Sequence, residues 1–461
     1  MKPAPHLDYL YGRLNYERSG MPRGTGELRL GRMRRLLRRL GDPHLGLPIV
    51  HVAGTKGKGS TASMVAAGLT AAGIRTGLFC SPHLHRLEER FRVDGAEIAP
   101  GALADLVEAV RPAVDALDAD DPLYARRGAT FFEVTTAMGL LHFARQDAGA
   151  VVLEVGMGGR LDSTNVVRPA LAVITSISLD HTRQLGSTLG AIAREKAGII
   201  KRGGTVVSGV RGEDALAAIG QAVQARSARW LQLDADFRFD YRPPDPPLDR
   251  PTPGVIAART WARDWGDLPV PLLGAHQGQN AAVALACFDA LAELGVADVG
   301  PDEARRGFAG LTWPARVEVL GERPWLVVDG AHNVASAEAL AATLRANFPA
   351  TRRTLVFGTT RDKDLPGQLA SLLPLADAVV VTRYVENARA VDPAEVAAAV
   401  RAQVGDSVPI HQPHSPAEAL ALARRITPDD ALIVVTGSLF LAAETRAHVL
   451  GLDPAPHGDA P

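Results

Sequence analysis

A strand-length apolar run that stops at a loop of glycine and lysine and restarts as a helix admits few folds. PIVHVAG (48–54) reads as a buried strand, GTKGKGS (54–60) as the turn and STASMVAAGLTAAG (60–73) as the helix. Strand periodicity passing into helix periodicity across glycines is the first unit of an α/β sheet. Such a loop turns backbone N–H groups and the positive end of the helix toward an anion, and Lys58 can reach terminal phosphates. It departs twice from the commonest phosphate-loop spacing: Val52 stands at the first glycine position, and Gly59 follows the lysine. On these residues alone, a phosphate cradle and an ordinary glycine-rich turn both stay open.

The alternation continues. TGLFC (76–80), GAVVLEVG (149–156) and ALAVITSIS (170–178) predict strands. FFEVTTAMGLLHFARQ (131–146), TLGAIAREKAGIIK (188–201) and HQGQNAAVALACFDALAELG (276–295) predict helices. A second series then begins, with strands at WLVVDG (325–330), RTLVFG (353–358), DAVVVT (377–382) and ALIVVTG (431–437). The expected fold class is α/β with two domains. Residues 1–311 form a P-loop ATPase-type domain on a mainly parallel sheet, and residues 312–461 a smaller Rossmann-like α/β domain. RPPDPPLDRPTPG (242–254) predicts a surface excursion, and the tail LDPAPHGDAP (452–461) a disordered end.

Composition narrows the function. A net charge of -1 argues against a dedicated nucleic-acid or membrane-surface binder. Cys80 and Cys287 are the only cysteines, too few for a disulfide framework or a cysteine zinc site. The N-terminus lacks an apolar signal region and no run of 18 apolar residues occurs, so a cytoplasmic location is expected. Only six of the 50 Lys and Arg residues are lysine (2, 56, 58, 196, 201 and 363). A retained ammonium in so arginine-rich a chain is mildly informative, because the two cations are not interchangeable.

Several further residues could carry chemistry. Glu154 falls at the carboxyl end of a buried strand, where an acid is costly unless it meets a metal or a partner. A cap or a salt bridge is the plainer reading. His181, in SLDHTRQLG (178–186), would share that sheet edge, and imidazole, carboxylate and phosphate together suit Mg²⁺ or Mn²⁺. Lys196 sits in a helix of mixed polarity, whose plain reading is a solvated face. Arg316 (WPARVE) and Asp329 (VVDGAHN) in the second domain could close on a nucleotide held by the first.

In chain order, a larger set of motifs carries a resemblance. It comprises GTKGKGS, SPHLHRLEER (81–90), TFFE (130–133), LEVGMGGRLDSTN, SLDHT, REKAGIIK, HQGQN (276–280), WPAR, DGAHN and TTRDKD (359–364). Together these resemble the folylpolyglutamate synthase and dihydrofolate synthase family, within the ATP-dependent amide ligases that include the muramyl-peptide ligases. The resemblance covers nearly the whole chain and implies ATP as cosubstrate. It implies an acyl phosphate formed on dihydropteroate or a reduced folate, then attacked by the amino group of L-glutamate. ATP contacts are implied at Gly57, Lys58, Gly59, Ser60, Asn280, Arg316 and Asp329. One Mg²⁺ is implied at Ser81, Glu154 and His181, and a second at Lys196 carried as a carbamate. Lys58, Lys196 and His332 take the catalytic roles, His332 beside the glutamate. Pterin-side contacts are implied at Thr25, Gly26, Glu27 and Leu28, at Thr130, Phe131, Phe132 and Glu133, and at Leu161, Asp162 and Ser163. Lys56 stands where the family usually has Asn.

A monomer is expected, whose domains close over ATP, with neither nucleic acid nor membrane as partner. Two other readings stay open. A muramyl-peptide ligase is the nearer, against which SPHLHRLEER and TFFE speak. A P-loop ATPase or nucleotide-dependent binding module would hydrolyse ATP without carboxylate or glutamate. Family members are monofunctional or bifunctional, and the choice of pterin acid stays open.

Overall fold

The computed structural model describes residues 5–19, 30–120, 128–244, 251–349, 352–385 and 387–452. The proposed pterin contacts Thr25 to Leu28, the centre of the proline-rich run and nearly all of the tail lie outside them.

The first strand, β1 (Ile49–Ala53), is buried at every position, as an apolar run between two neighbours must be. β2 (Thr76–Phe79), β3 (Phe91–Val93), β4 (Ala96–Glu97), β5 (Ala150–Glu154), β6 (Leu171–Ile174), β7 (Thr205–Ser208) and β8 (Arg229–Gln232) complete its sheet. The order is β4-β3-β2-β5-β1-β6-β7-β8. Pairing is parallel from β2 to β8, while β3 and β4 form an antiparallel edge. β1 lies between β5 and β6, with Val52 opposite Glu154 and Ala53 opposite Ile174. The carboxyl ends of three strands therefore stand side by side, the place where open α/β sheets hold ligands.

Helices cover both faces. Lys58–Ala71 and Ala275–Glu293 pack on one side. Pro100–Asp120 and Phe131–Arg145 pack on the other. A Cβ at Gly68 would stand 2.2 Å from the Phe288 ring, so glycine is what lets the first pair approach so closely. Each buried ring of the size of Phe131 or Phe288 contributes on the order of 1.5–3 kcal/mol.

A three-stranded antiparallel sheet, in the order β11-β10-β9, follows: β9 (Arg238–Arg242), β10 (Val255–Arg259) and β11 (Asp264–Pro269). The sequence reading had no strands here. β9 is RFDYR, polar at alternate positions and half-buried on only one face, where Phe239 and Tyr241 meet the helix Ala275–Glu293 at Gly278. The proline-rich run is the connection between β9 and β10.

The last sheet contains β12 (Glu318–Glu322), β13 (Trp325–Val328), β14 (Arg353–Phe357), β15 (Ala378–Val381), β16 (Ile410–His411) and β17 (Leu432–Thr436). Its order is β12-β13-β17-β14-β15-β16, with only β12 antiparallel, and it shares no strand with the first sheet. The four expected strands are its centre. The two edges escaped notice because one is only partly buried and the other has two residues.

Candidate active site

The phosphate loop is held by its backbone. Ser176 Oγ accepts from the Lys56 N–H at 3.0 Å, and Thr175 Oγ1 donates to the Lys56 carbonyl at 2.6 Å. Gly57 caps the helix that starts at Lys58 with a left-handed φ of 79° and no side-chain cap, leaving the first N–H groups open to a ligand. A Cβ on Gly57 would meet Asn280 Oδ1 at 2.2 Å, and one on Gly59 would meet the Trp313 indole at 3.1 Å. Loop, helix Ala275–Glu293 and the connection to the last sheet thus fit against one another only with glycine present.

This loop opens on a cavity of ≈ 910 Å³, within the range of small-molecule sites. The proposed nucleotide residues Gly57, Lys58, Gly59, Ser60, Asn280, Arg316 and Asp329 all line it. Each oxygen of Asp329 accepts one backbone N–H, from Val317 and from Ala331, at 2.8 Å each. Burial raises its pKa against the opposing charge of Arg316. Its visible work is to shape the turn that carries Arg316 and His332.

Ser81, Glu154 and His181 also line the cavity. The buried Glu154 carboxylate accepts from Ser81 N at 3.2 Å, and burial raises its pKa despite nearby Lys58 and Arg316. Ser81 Oγ is buried without any hydrogen-bond partner. Desolvation in the cleft lowers the His181 pKa, yet its side chain keeps 41% of its surface open, so a neutral imidazole faces the cavity. Among the described residues no three His, Cys, Asp or Glu side chains gather as a metal group. The orphaned hydroxyl, the under-compensated carboxylate and the neutral imidazole nevertheless fit a hard divalent cation that keeps other positions for phosphate or water.

Lys196 is not on a solvated helix face. It ends the helix Leu189–Lys196, is buried, and donates to the Gly54 carbonyl at 2.9 Å. Burial, followed by the charge of Lys58, pushes its pKa down to about 7, so a large share is neutral amine near pH 7.

On the other side of the cavity stand Thr130, Phe132, Glu133, Leu161, Asp162 and Ser163. Phe131 does not reach it: the ring is fully buried and stacks on Tyr11 at 5.7 Å. Thr130 and Glu133 form a capping box, and Glu133 Oε1 also accepts from Arg32 Nε at 2.8 Å. Asp162 accepts from Met157 N at 2.9 Å and from Thr164 N at 3.0 Å. Thr164 Oγ1 donates to it at 2.5 Å and lies 2.8 Å from Nε2 of the buried His51.

The sequence reading missed Asp180. Its carboxylate joins the two parts of the chain, accepting from Lys56 Nζ at 3.1 Å, Lys363 Nζ at 2.6 Å and Asn333 Nδ2 at 3.1 Å. Against the cost of its own burial, the His332 ring, whose Nε2 stands 3.6 Å from Oδ2, and the charge of Lys56 hold its pKa far below the usual carboxylate range. The motifs SLDHT and TTRDKD contain Asp180 and Lys363, but nothing local signals that the two meet.

Residues 52–224 match the Mur ligase middle domain, and residues 315–439 the Mur ligase glutamate ligase domain. The chain is 35% identical over 439 residues to folylpolyglutamate synthase of Lacticaseibacillus casei, covering 93% of this chain and 95% of that protein. The fold matches Mycobacterium tuberculosis folylpolyglutamate synthase complexed with ADP and AMPPCP with a TM-score of 0.84 at 34% identity, covering 93% and 96% of the two chains. It also matches E. coli FolC in complex with DHPP and ADP, with a TM-score of 0.81 at 29% identity over 97% and 98%.

Proposed function

The chain belongs to the folylpolyglutamate synthase and dihydrofolate synthase family of Mur ligases, and on that footing we propose that it is an ATP-dependent glutamate ligase. Its acid substrate is dihydropteroate, the glutamate tail of a reduced folate, or both. The acid takes the γ-phosphoryl group of ATP, and the amino group of L-glutamate displaces phosphate to form the amide. One observation carries this reading: Lys58 and the open helix N-terminus, the buried Glu154, and His332 from the other sheet all face one cavity. A hydrolase would have no need of that third wall.

In this reading Lys58 and the N–H groups from Lys58 to Ser60 hold the phosphates and oppose charge that builds up during transfer. Asn280, Arg316 and the turn shaped by Asp329 complete the nucleotide site. Ser81, Glu154 and His181 would hold Mg²⁺, and Lys196 as a carbamate would serve a second; the ions supply charge neutralisation between ATP and the carboxylate. The neutral fraction of Lys196 supports that modification, because only a free amine takes up CO₂. Phe132, Leu161 and Ser163 would receive the pterin, with Glu133 and Asp162 shaping its walls. His332 lies where glutamate would enter.

We place the division between the domains at 311/312, after the helix Pro301–Ala309 and before β12. A monomer acting in the cytoplasm completes the proposal.

ADP release and amide formation should be measured with dihydropteroate and with a reduced folate, each with and without L-glutamate. Amide formation that needs ATP, one of the acids and glutamate is expected. ADP release indifferent to acid and glutamate would leave a simple ATPase. Glutamate transfer only to a muramyl precursor would move the chain to the neighbouring branch.

A further inference from the structure

Asp180 follows β6, yet most of what holds it comes from elsewhere. Lys56 reaches it from the phosphate loop, and Lys363 and Asn333 reach it from loops of the last sheet. Its side chain is 6% exposed and that of Lys363 10%. Charges so enclosed persist only when paired, and here one carboxylate faces two ammonium groups. Lys56 Nζ also stands 2.8 Å from His332 Nε2. His332 Nδ1 lies 2.8 Å from the Gly330 carbonyl, which can only accept, so Nδ1 carries the proton and Nε2 accepts from Lys56. A single ammonium therefore touches the loop after β6 and a side chain of the second domain at once.

The Lys56 side chain is not needed to shape its own loop. Thr175 and Ser176 already fix that backbone from both sides. What the side chain adds is a link between the phosphate loop and the turn that carries His332.

We propose that Lys56 and Lys363, closed on Asp180, are positioning residues that couple the phosphate loop to docking of the second domain, so that the activated acid meets glutamate before water. The inference rests on the ligase reading above. The acyl phosphate can lose its acyl C–O bond, with phosphate leaving, to either of two nucleophiles. Attack by the glutamate amine forms the amide and releases a proton; attack by water restores the carboxylic acid. An undocked second domain exposes the acyl phosphate to water, so ATP is consumed without product.

The test uses the full chain and measures ADP and amide in the same reaction, with Mg²⁺, saturating ATP, acid and glutamate, after subtracting ADP released without acid. The wild type should form the two in equal amounts. Lys56→Gln and Lys363→Gln should each raise ADP per amide several-fold. The double variant should be no worse than the more severe single, because both ammonium groups act through one carboxylate. Lys363→Arg, which keeps the charge, should restore the ratio toward the wild type. Lys363→Gln also tests the bridge without touching the phosphate loop, should Lys56→Gln fail to fold. An unchanged ratio in folded Lys363→Gln overturns the proposal, whether or not total turnover falls. If the wild type itself makes no amide, the ligase reading falls and this inference with it; a wild type coupled one to one beside equally coupled variants removes the inference alone.

Discussion

Glu133 offers the sharpest test of how the pterin side of the cavity is built. Oε1 accepts from Arg32 Nε at 2.8 Å, and Arg32 Nη2 lies 2.5 Å from Oε2. Oε2 also accepts from Thr130 N at 2.9 Å and from Thr130 Oγ1 at 2.8 Å, closing the cap of the helix Phe131–Arg145. Both side chains of the ion pair are buried. Truncating one partner of a buried pair costs roughly 3–5 kcal/mol, because the other charge stays in the interior without its counterpart. Loss of the reciprocal cap adds about 1 kcal/mol, part of which overlaps with the first term. Glu133→Ala should therefore destabilise the first domain by about 4 kcal/mol. At about 2 °C per kcal/mol for a domain of this size, that is a fall of roughly 8 °C in its melting temperature. Urea unfolding followed by circular dichroism measures the loss, and the acid-substrate KM is read alongside.

The double variant Arg32→Met/Glu133→Leu separates structure from ligand contact. It removes both charges and fills the space with apolar groups, a replacement of buried pairs that is often neutral or stabilising. If Glu133 works by holding the wall, stability and KM should recover together. A Glu133→Ala protein within about 1 kcal/mol of wild type would refute the energetic argument. A stable double variant whose acid substrate still fails to bind would instead show Glu133 touching that substrate directly.

Three further outcomes follow from the site. Lys58→Ala should lose most turnover while its unfolding curve matches wild type, and Lys58→Arg should also be poor, since a planar guanidinium fits badly in the glycine loop. Lys196→Ala should be nearly inactive and partly rescued by small carboxylic acids, with Lys196→Arg inactive; intact-mass analysis of the wild type in bicarbonate should find the carbamate. Burial, then the charge of Lys201, lowers the His51 pKa from 6.5 to about 3, so well above pH 6.5 the ring is neutral in folded and unfolded chain alike and adds no pH dependence. As pH falls from 6.5 toward 3 the unfolded chain takes up a proton that the folded one refuses, and stability drops by about 1.4 kcal/mol per unit from this residue. His51→Gln should make acid unfolding less steep by one proton, and an unchanged slope would refute the assignment.

What could be read from the sequence was what is local. The phosphate loop, the strands flanking it and the strand-end position of Glu154 depend on residues within a few positions of one another, so periodicity and glycine placement reveal them. Phe131 and Phe132 mark the limit of that reading. They are consecutive on one helix, about 100° apart around its axis, and only packing decides that Phe131 stacks on Tyr11 while Phe132 faces the cavity. Asp180 lies beyond any local reading, since its partners stand 124, 153 and 183 residues away. A sequence also shows a carboxylate without showing how many of its lone pairs are spent. Family likeness gave ligand roles to Glu133, Asp162, Asp329 and Glu154 alike. In the fold, both oxygens of Glu133, Asp162 and Asp329 already accept protein hydrogen bonds. Glu154 is buried just as they are, but among the described hydrogen bonds it accepts only from Ser81 N, beside a hydroxyl with no partner at all. A buried carboxylate with unused lone pairs is unfavourable unless something positive joins it. Of the four, Glu154 has the fewest protein donors on its carboxylate, and for that reason the proposed function gives the cation to it.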